Sequence, residues 1–419
     1  MKKFLLSLSV FLFFSTSQIL FALTEGIESP DLLLLQQHVS YLASDELEGR
    51  GLGTEGLWKA AHYIADEFQK NGLLPFGDRE TYFQNFFIRA SFGKSLIYIP
   101  AANVIGLLPA NDSSLSDNYI FIGAHYDHLG FGEHGSLSPN EPAIHNGADD
   151  NASGAAGVLE AARIWSKTTV PHGNLVFVTF AGEELGLLGS QYLVEHAPDT
   201  LSKTFAMFNM DMIGRMQENN LIIFGTGTAA EWSPMIDEAE KNFDLIIRRK
   251  PSGLSPSDNT SFYLNNIPVL FFHTGTHTEY HHPSDDINLI NFPGMVKTLS
   301  FLNNILMLTT ARNEKLTFQE TKDPHDPGNG GGDLPYFGSI PDYGFPGPGL
   351  RLNGVRANSP AEKAGLQRGD VIIRIDDVEI ADIYTFTAVL KQHKAGDTIQ
   401  VKYVREGKEL STEATLAER

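Results

Sequence analysis

No cysteine occurs in the 419 residues of the sequence. Disulfides, thiolate catalysis, cysteine-built zinc fingers and a lipid-modified N-terminal cysteine are therefore excluded. A transition metal, if one binds, must be held by His, Asp and Glu. Positive charge is also scarce, with 31 Lys and Arg against 51 Asp and Glu and a formal charge of −20. Nucleic acid and anionic membrane each require a basic face, so both are disfavoured as partners. The usual short signatures are missing as well. HExxH, GxSxG, a P-loop and a GxGxxG following a strand do not occur.

Against these absences, the 42% hydrophobic and 20% charged content is that of ordinary globular protein, and the length suggests two domains. The first residues have a separate explanation. Met1-Lys2-Lys3 is a short positive region, Phe4 to Phe14 is apolar, Ser15 to Gln18 are polar, and Ala22 suits the position before cleavage. Residues 1–22 read as a secretory signal peptide. A membrane anchor is the alternative, but the run falls short of the ~20 residues a span needs. Cleavage removes two lysines and no acids, giving −20 − 2 = −22 for the mature chain. The expectation is a secreted or periplasmic protein with no membrane span.

Residues 23–320 alternate apolar strands with helical patterns. A polar, Gly-rich stretch over 321–333 (DPHDPGNGGGD) reads as a flexible linker, and 334–419 form a second compact segment. In the first region Leu57, Ala61, Ile64 and Phe68 recur at helical spacing, ended by Asn71-Gly72. Tyr119 to Ala124, Asn174 to Phe180, Phe205 to Met212 and Val269 to Phe272 read as buried strands, with a small-residue helix from about Ser153 to Trp165. Apolar strands separated by helices predict an α/β fold, a mainly parallel sheet with helices on both faces. Functional groups in such a fold sit in loops beyond the carboxyl ends of the strands.

Those strand ends carry acid and imidazole throughout. GAHYDHLG supplies His125, Asp127 and His128, and GADDNASG supplies Asp149, Asp150 and Asn151. Glu183 and Glu184 follow the next strand, Asp211 ends the third, and a last loop holds His277, Glu279, Tyr280, His281, His282, Asp285 and Asp286. One carboxylate after a strand is commonly a helix cap. Five such loops converging on one edge would instead repel one another unless a divalent metal neutralised them. Imidazole with carboxylate and no thiolate suits zinc, and the supply exceeds the four ligands of one ion. Two metals sharing a bridging carboxylate are expected.

These blocks resemble the co-catalytic di-zinc aminopeptidase family (peptidase family twenty-eight), which includes secreted bacterial zinc aminopeptidases, glutamate carboxypeptidase II and glutaminyl cyclase. The resemblance covers roughly residues 30 to 311, including ELEGRGLGTEG from Glu46 to Gly56. It implies a three-layer zinc exopeptidase domain holding two Zn2+ ions per chain. His125, Asp150, Glu184, Asp211 and His281 are the implied ligands, with Asp150 bridging and His282 as the rival to His281. The resemblance also implies Glu183 as general base, Asp127 as the residue orienting His125, and Tyr280 as a donor to the oxyanion. Asp258 resembles a block near the substrate pocket, with a turn or helix cap as the alternative. His128, His134, His145 and His277 read as solvated loop histidines that could also line the pocket.

The expected activity is an aminopeptidase acting on peptides. A glutaminyl cyclase, a carboxypeptidase-like relative using basic residues such as Arg50 or Arg215, and an inactive PDZ-containing binding protein are the alternatives. Only 40 positions separate Gln84 from Ala124, which leaves no room for the protease-associated insert of many relatives and implies an open site. Residues 334–419 resemble a PDZ domain through NSPAEKAGLQRGDVIIRIDDVEI, Asn358 to Ile380. The resemblance implies strand addition of a peptide or protein terminus. Gly349 to Val355 is taken as the peptide-facing strand and Phe345 to Gly349 as its carboxylate loop, where two prolines remove amide donors.

Overall fold

A computed structural model describes residues 27–92, 95–132, 135–138, 143–321, 335–341, 348–356, 358–381 and 383–418. The expected leader at 1–22, nearly all of the linker at 321–333, and His134 lie outside them. No helix among the described residues is long and apolar enough to cross a membrane.

In the α/β domain the strands are β1 (Leu74–Pro75), β2 (Phe83–Phe92), β3 (Ser95–Leu108), β4 (Tyr119–His125), β5 (Asn174–Phe180), β6 (Thr204–Met210), β7 (Asn220–Phe224), β8 (Ile246–Lys250) and β9 (Val269–His273). They form one sheet in the order β1-β3-β5-β4-β6-β9-β7-β8, with β2 paired to β3. The central four, β5-β4-β6-β9, are mutually parallel, whereas β3 and β7 run antiparallel to their inner neighbours. Every residue of β5 and β6 is buried, as expected for strands covered on both faces.

Alternation along these strands builds two separate cores. Leu175 and Phe177 join a cluster containing α1 (Leu32–Leu42), α2 (Glu55–Lys70) and α3 (Gly154–Ser166). Val176, Val178 and Phe180 face a second cluster with residues of α4 (Leu188–His196). The remaining helices are α5 (Pro198–Ser202), α6 (Trp232–Glu240), α7 (Asn259–Tyr263) and α8 (Phe292–Thr310). Phe262 and Tyr263 of α7 belong to the second cluster, and Leu299 and Leu302 of α8 to the first. Helix α2 shows the local logic. Thr54 caps its first turn by accepting the Leu57 N–H at 3.2 Å, the Leu57, Ala61, Ile64 and Phe68 stripe is buried, and Gly72 at φ +75° turns the chain away.

Thr321 is held to the α/β domain by the Tyr263 hydroxyl, which accepts its N–H at 2.9 Å.

The C-terminal domain contains β10 (Ser339–Pro341), β11 (Leu350–Val355), β12 (Val371–Ile375), β13 (Val378–Glu379), β14 (Thr398–Arg405) and β15 (Lys408–Thr415), with α9 (Pro360–Lys363) and α10 (Ile383–Leu390). Its sheet order is β10-β11-β12-β14-β15. This corrects the expected peptide-facing strand. β11 pairs with β10 on one side and β12 on the other, so β11 is interior; β15 is one edge of the sheet, and the edge beside β11 is β10. The segment leading to that edge is Tyr336 to Gly338, and the proline-bearing stretch from Phe345 is not adjacent to it in sequence. A three-residue strand ending in proline carries too little alternation to be recognised from sequence.

Candidate active site

The carboxyl ends of β4, β5, β6 and β9 bring the candidate residues to one edge of the sheet. His125 is the last residue of β4, the Glu183–Glu184 loop follows β5, Asp211 follows β6, and the His281 loop follows β9. Asp150 arrives on the turn before α3, which is stitched to the end of β6. Asn151 Nδ2 donates to Met210 O at 3.0 Å, Ile213 N–H donates to Ser153 Oγ at 3.0 Å, and Gly214 N–H donates to Asp149 Oδ1 at 2.6 Å. The Asp150–Asn151 peptide is cis.

Within the cluster, His125 Nε2 lies 3.4 Å from both Asp150 Oδ1 and Asp211 Oδ1, and 3.9 Å from Glu183 Oε2. His281 Nε2 lies 3.2 Å from Asp150 Oδ2 and 3.2 Å from Glu184 Oε2. Asp150 thus faces His125 with Oδ1 and His281 with Oδ2, with His128 3.8 Å from Oδ2. His282 points elsewhere, its Nδ1 2.7 Å from the Ser138 hydroxyl. Two donor triplets, His125–Glu183–Asp211 and His125–Asp150–Glu184, each fall within a 4.8 Å span.

Burial and mutual repulsion dominate the electrostatics. Burial alone would lower the pKa of His125, but the Asp211 and Glu183 carboxylates hold it well above its ordinary value. Burial pushes the Glu183 carboxyl well above the glutamate range, and Asp211 and Glu184 add to this against the opposing pull of His125. Asp150 goes the other way. Burial opposes its ionisation, yet His128, His125 and His281 together hold it well below the usual carboxylate range.

Asp127 meets both His125 and the Glu183 backbone. His125 Nδ1 is 3.1 Å from the Asp127 carbonyl and 3.8 Å from its carboxylate, while Asp127 Oδ1 accepts the Glu183 N–H at 3.2 Å. Its side chain therefore fixes the Glu183 backbone, and burial raises its carboxyl to about 6. The Tyr280 ring stacks on His281 with centroids 3.9 Å apart, and burial pushes its hydroxyl pKa up. Asp285 is buried, and its Oδ2 accepts the N–H groups of both Asp149 and Asp150 at 3.0 Å.

The structure places several residues that the sequence left open, and buries His128 and His145, which read as solvated. His128 is buried, its Nδ1 2.7 Å from Glu184 Oε1. His145 is buried between Ser136 and the Ala143 carbonyl, and His277 Nε2 lies 3.2 Å from Asp149 Oδ2. Arg50 is fully buried and donates to the carbonyls of Tyr126, Leu42, Asn146 and Gly147, so it clamps the loops rather than facing substrate. Arg215 is paired with Glu279 at 2.5 Å and lies 3.7 Å from Asp285 Oδ1. Asp258, just before α7, is completely buried with both carboxylate oxygens lacking a hydrogen-bond partner, and burial raises its carboxyl to about 7. A sequence shows neither which carbonyls surround a guanidinium nor which way a loop histidine turns.

The donor set suits zinc. Two ligands on a tetrahedral zinc lie about 3.4 Å apart for bonds of about 2.1 Å, close to the 3.2–3.4 Å separations found here. Asp211 Oδ1 is buried without a hydrogen-bond partner, a lone pair aimed into the cluster. Four carboxylates this close are tolerable only with positive charge among them.

Comparison with known proteins bears on family and fold. Models of two families match the chain, peptidase family M28 over residues 103–304 and the PDZ domain over residues 315–416. A probable zinc metalloprotease of Pyrenophora teres f. teres is 31% identical over 186 residues, which cover 43% of this chain and 37% of that protein. Aminopeptidase YwaD of Bacillus subtilis is 30% identical over 201 residues, 45% of this chain and 40% of that protein. The chain therefore matches about two fifths of the length of these relatives. A solved zinc-dependent exopeptidase from Parabacteroides distasonis is similar at a TM-score of 0.55 and 17% identity, covering 68% of this chain and 100% of that one, a likeness of fold. The α/β domain is thus similar to peptidase family M28, and the segment behind it matches the PDZ domain.

Proposed function

We propose that this chain is a secreted zinc-dependent aminopeptidase that removes N-terminal residues from peptides. The observation that carries the reading is the convergence of His125, Asp150, Glu184, Asp211 and His281 at ligand spacing, with Glu183 beside them. His125 and Asp211 would hold one zinc, Glu184 and His281 the other, and Asp150 both. Zinc bound there would supply Lewis acidity that lowers the pKa of a water and polarises the scissile carbonyl.

The remaining work falls to side chains. Glu183 takes the proton of the attacking water on its carboxylate and later delivers it to the leaving amine. Asp127 keeps that carboxylate in place by accepting the Glu183 amide. Tyr280, its ring fixed against His281, donates its hydroxyl to the developing oxyanion. The engagement of Arg50 and Arg215 supports an N-terminal over a C-terminal specificity. Both guanidiniums are committed to carbonyls or carboxylates of the protein, while the site is rich in acids that attract an α-ammonium. Placement of both His125 and Asp211 in the cluster favours hydrolysis over single-zinc cyclisation. At the PDZ domain the open β10 edge offers strand addition to a peptide or protein terminus.

Elemental analysis of purified protein, paired with a panel of aminoacyl chromogenic substrates, tests the reading. Close to two zinc ions per chain and chelator-sensitive cleavage requiring a free α-amine are expected. Zinc-loaded protein that cleaves no free-amine substrate would overturn it.

A further inference from the structure

Beside the proposed ligands lies a buried histidine for which the zinc centre leaves no role. His128 Nδ1 is 2.7 Å from Glu184 Oε1, and 3.8 Å from Asp150 Oδ2. The shorter distance decides what this contact is. Two ligands sharing one zinc stand about 3.4 Å apart, whereas 2.7 Å is the length of a charge-assisted hydrogen bond. An ionised carboxylate can only accept, so the proton of this bond sits on His128 Nδ1.

The two oxygens of Glu184 then face different imidazoles. Oε1 accepts from His128, and Oε2 lies 3.2 Å from His281 Nε2 on the side of Asp150. We propose that His128 is a positioning residue for Glu184, engaging Oε1 so that Oε2 alone is presented to the metal. This rests on the zinc centre proposed above. A carboxylate free to swing would present either oxygen, or both, and the second ion would lose a defined ligand.

The imidazole is itself held from three sides. Its backbone N–H donates to the Arg50 carbonyl at 3.2 Å. Its ring lies against Gly147, where a Cβ would come within 2.4 Å of His128 Cδ2. The His281 ring meets it edge-on with centroids 5.9 Å apart. Arg50 Nη2 in turn donates to the Gly147 carbonyl at 2.9 Å, so the clamp residue and the glycine brace the same ring. Gly147, at φ +52° with the Asp150 carbonyl 2.1 Å and the His128 ring 2.4 Å from where a Cβ would stand, leaves no room for a side chain, and through Arg50 the early ELEGRG stretch reaches the proposed centre without touching it.

Competitive chelator titration of full-length protein, followed by zinc content, separates the possibilities. His128→Phe keeps the ring and removes the donor. It is expected to weaken one of two zinc ions by about 10–100-fold and to leave the other unchanged. His128→Asn retains an N–H donor near the Nδ1 position and is expected to restore most of that affinity. Unfolding midpoints of the zinc-free proteins report folding, and if His128→Phe does not fold, near-wild-type zinc affinity in His128→Asn is still required. Equal losses in both variants, or no loss in His128→Phe, overturn the inference while leaving the centre intact. A wild-type chain that takes up no zinc overturns both.

Discussion

The two domains bury polar groups in opposite ways. In the α/β domain Arg50, His125, Asp127, His128, Asp149, Asp150, Asp211, Asp258 and Asp285 are all buried, and Asp127 Oδ2, Asp211 Oδ1, Asp285 Oδ1 and both Asp258 oxygens lack a hydrogen-bond partner. Among the described residues of the PDZ domain only Ser359 and Asp370 are buried and polar. Ser359 accepts the Glu362 N–H at 3.1 Å, and Asp370 receives Arg405 through both oxygens at 2.6 and 2.7 Å. Burying an unpartnered polar group is costly, so such groups persist where something outside the polypeptide completes them. Such groups gather at one edge of the α/β sheet, whereas the two buried polar residues of the PDZ domain are both hydrogen-bonded within it.

This contrast can be broken, and the largest break should come from the base. Glu183→Gln is expected to lower kcat by about 10²–10⁴-fold with zinc content unchanged. Retained turnover would remove Glu183 from its role and leave the crowded carboxylates without a catalytic reason. Next in size is the clamp. Arg50→Leu strands four carbonyls and should destabilise the α/β domain by about 3–5 kcal/mol, read by urea unfolding. Smaller again is Asp370→Ala, which uncouples Arg405 and should cost the PDZ domain about 2–3 kcal/mol. Hydrolysis of a small aminoacyl substrate should be unaffected by it, and a parallel loss of activity would show that the domains are not independent. The smallest expected effect is that of deleting residues 335–419, which should leave kcat/KM for such a substrate within about twofold while weakening turnover of longer peptides that use the β10 edge.

How much of this could be read in the sequence follows the same division. The strands Tyr119–His125 and Asn174–Phe180 and the residues at their ends were legible because a metal centre demands particular side chains at particular strand ends. His281 was favoured over His282 by the preceding Tyr280 and the acid four positions on, and it is His281 Nε2 that lies 3.2 Å from Asp150 and Glu184. Arg50 was not, since its partners are backbone carbonyls that every residue carries. His128 was not, because the fold of the loop decides whether an imidazole meets water or Glu184. Strands β7 and β8 were also missed, being short and only half buried along one face. In the PDZ domain the helix–turn–strand block is strongly patterned, yet which strand forms the edge depends on pairing across the sheet.

Asp285 has a consequence for how the protein would live with fluctuating metal supply. Its carboxylate holds the N–H groups of Asp149 and Asp150, while Ala148 N–H donates to the Asp285 carbonyl at 2.9 Å. The loop bearing His281 and the turn bearing Asp150 are thereby one mechanical piece, joined by amides instead of by an ion. A chain stripped of zinc would keep its receptor standing, in contrast to small zinc domains that unfold when emptied. Reloading is then a matter of diffusion and ligand deprotonation, and the proposed centre would become competent as soon as the metal arrives.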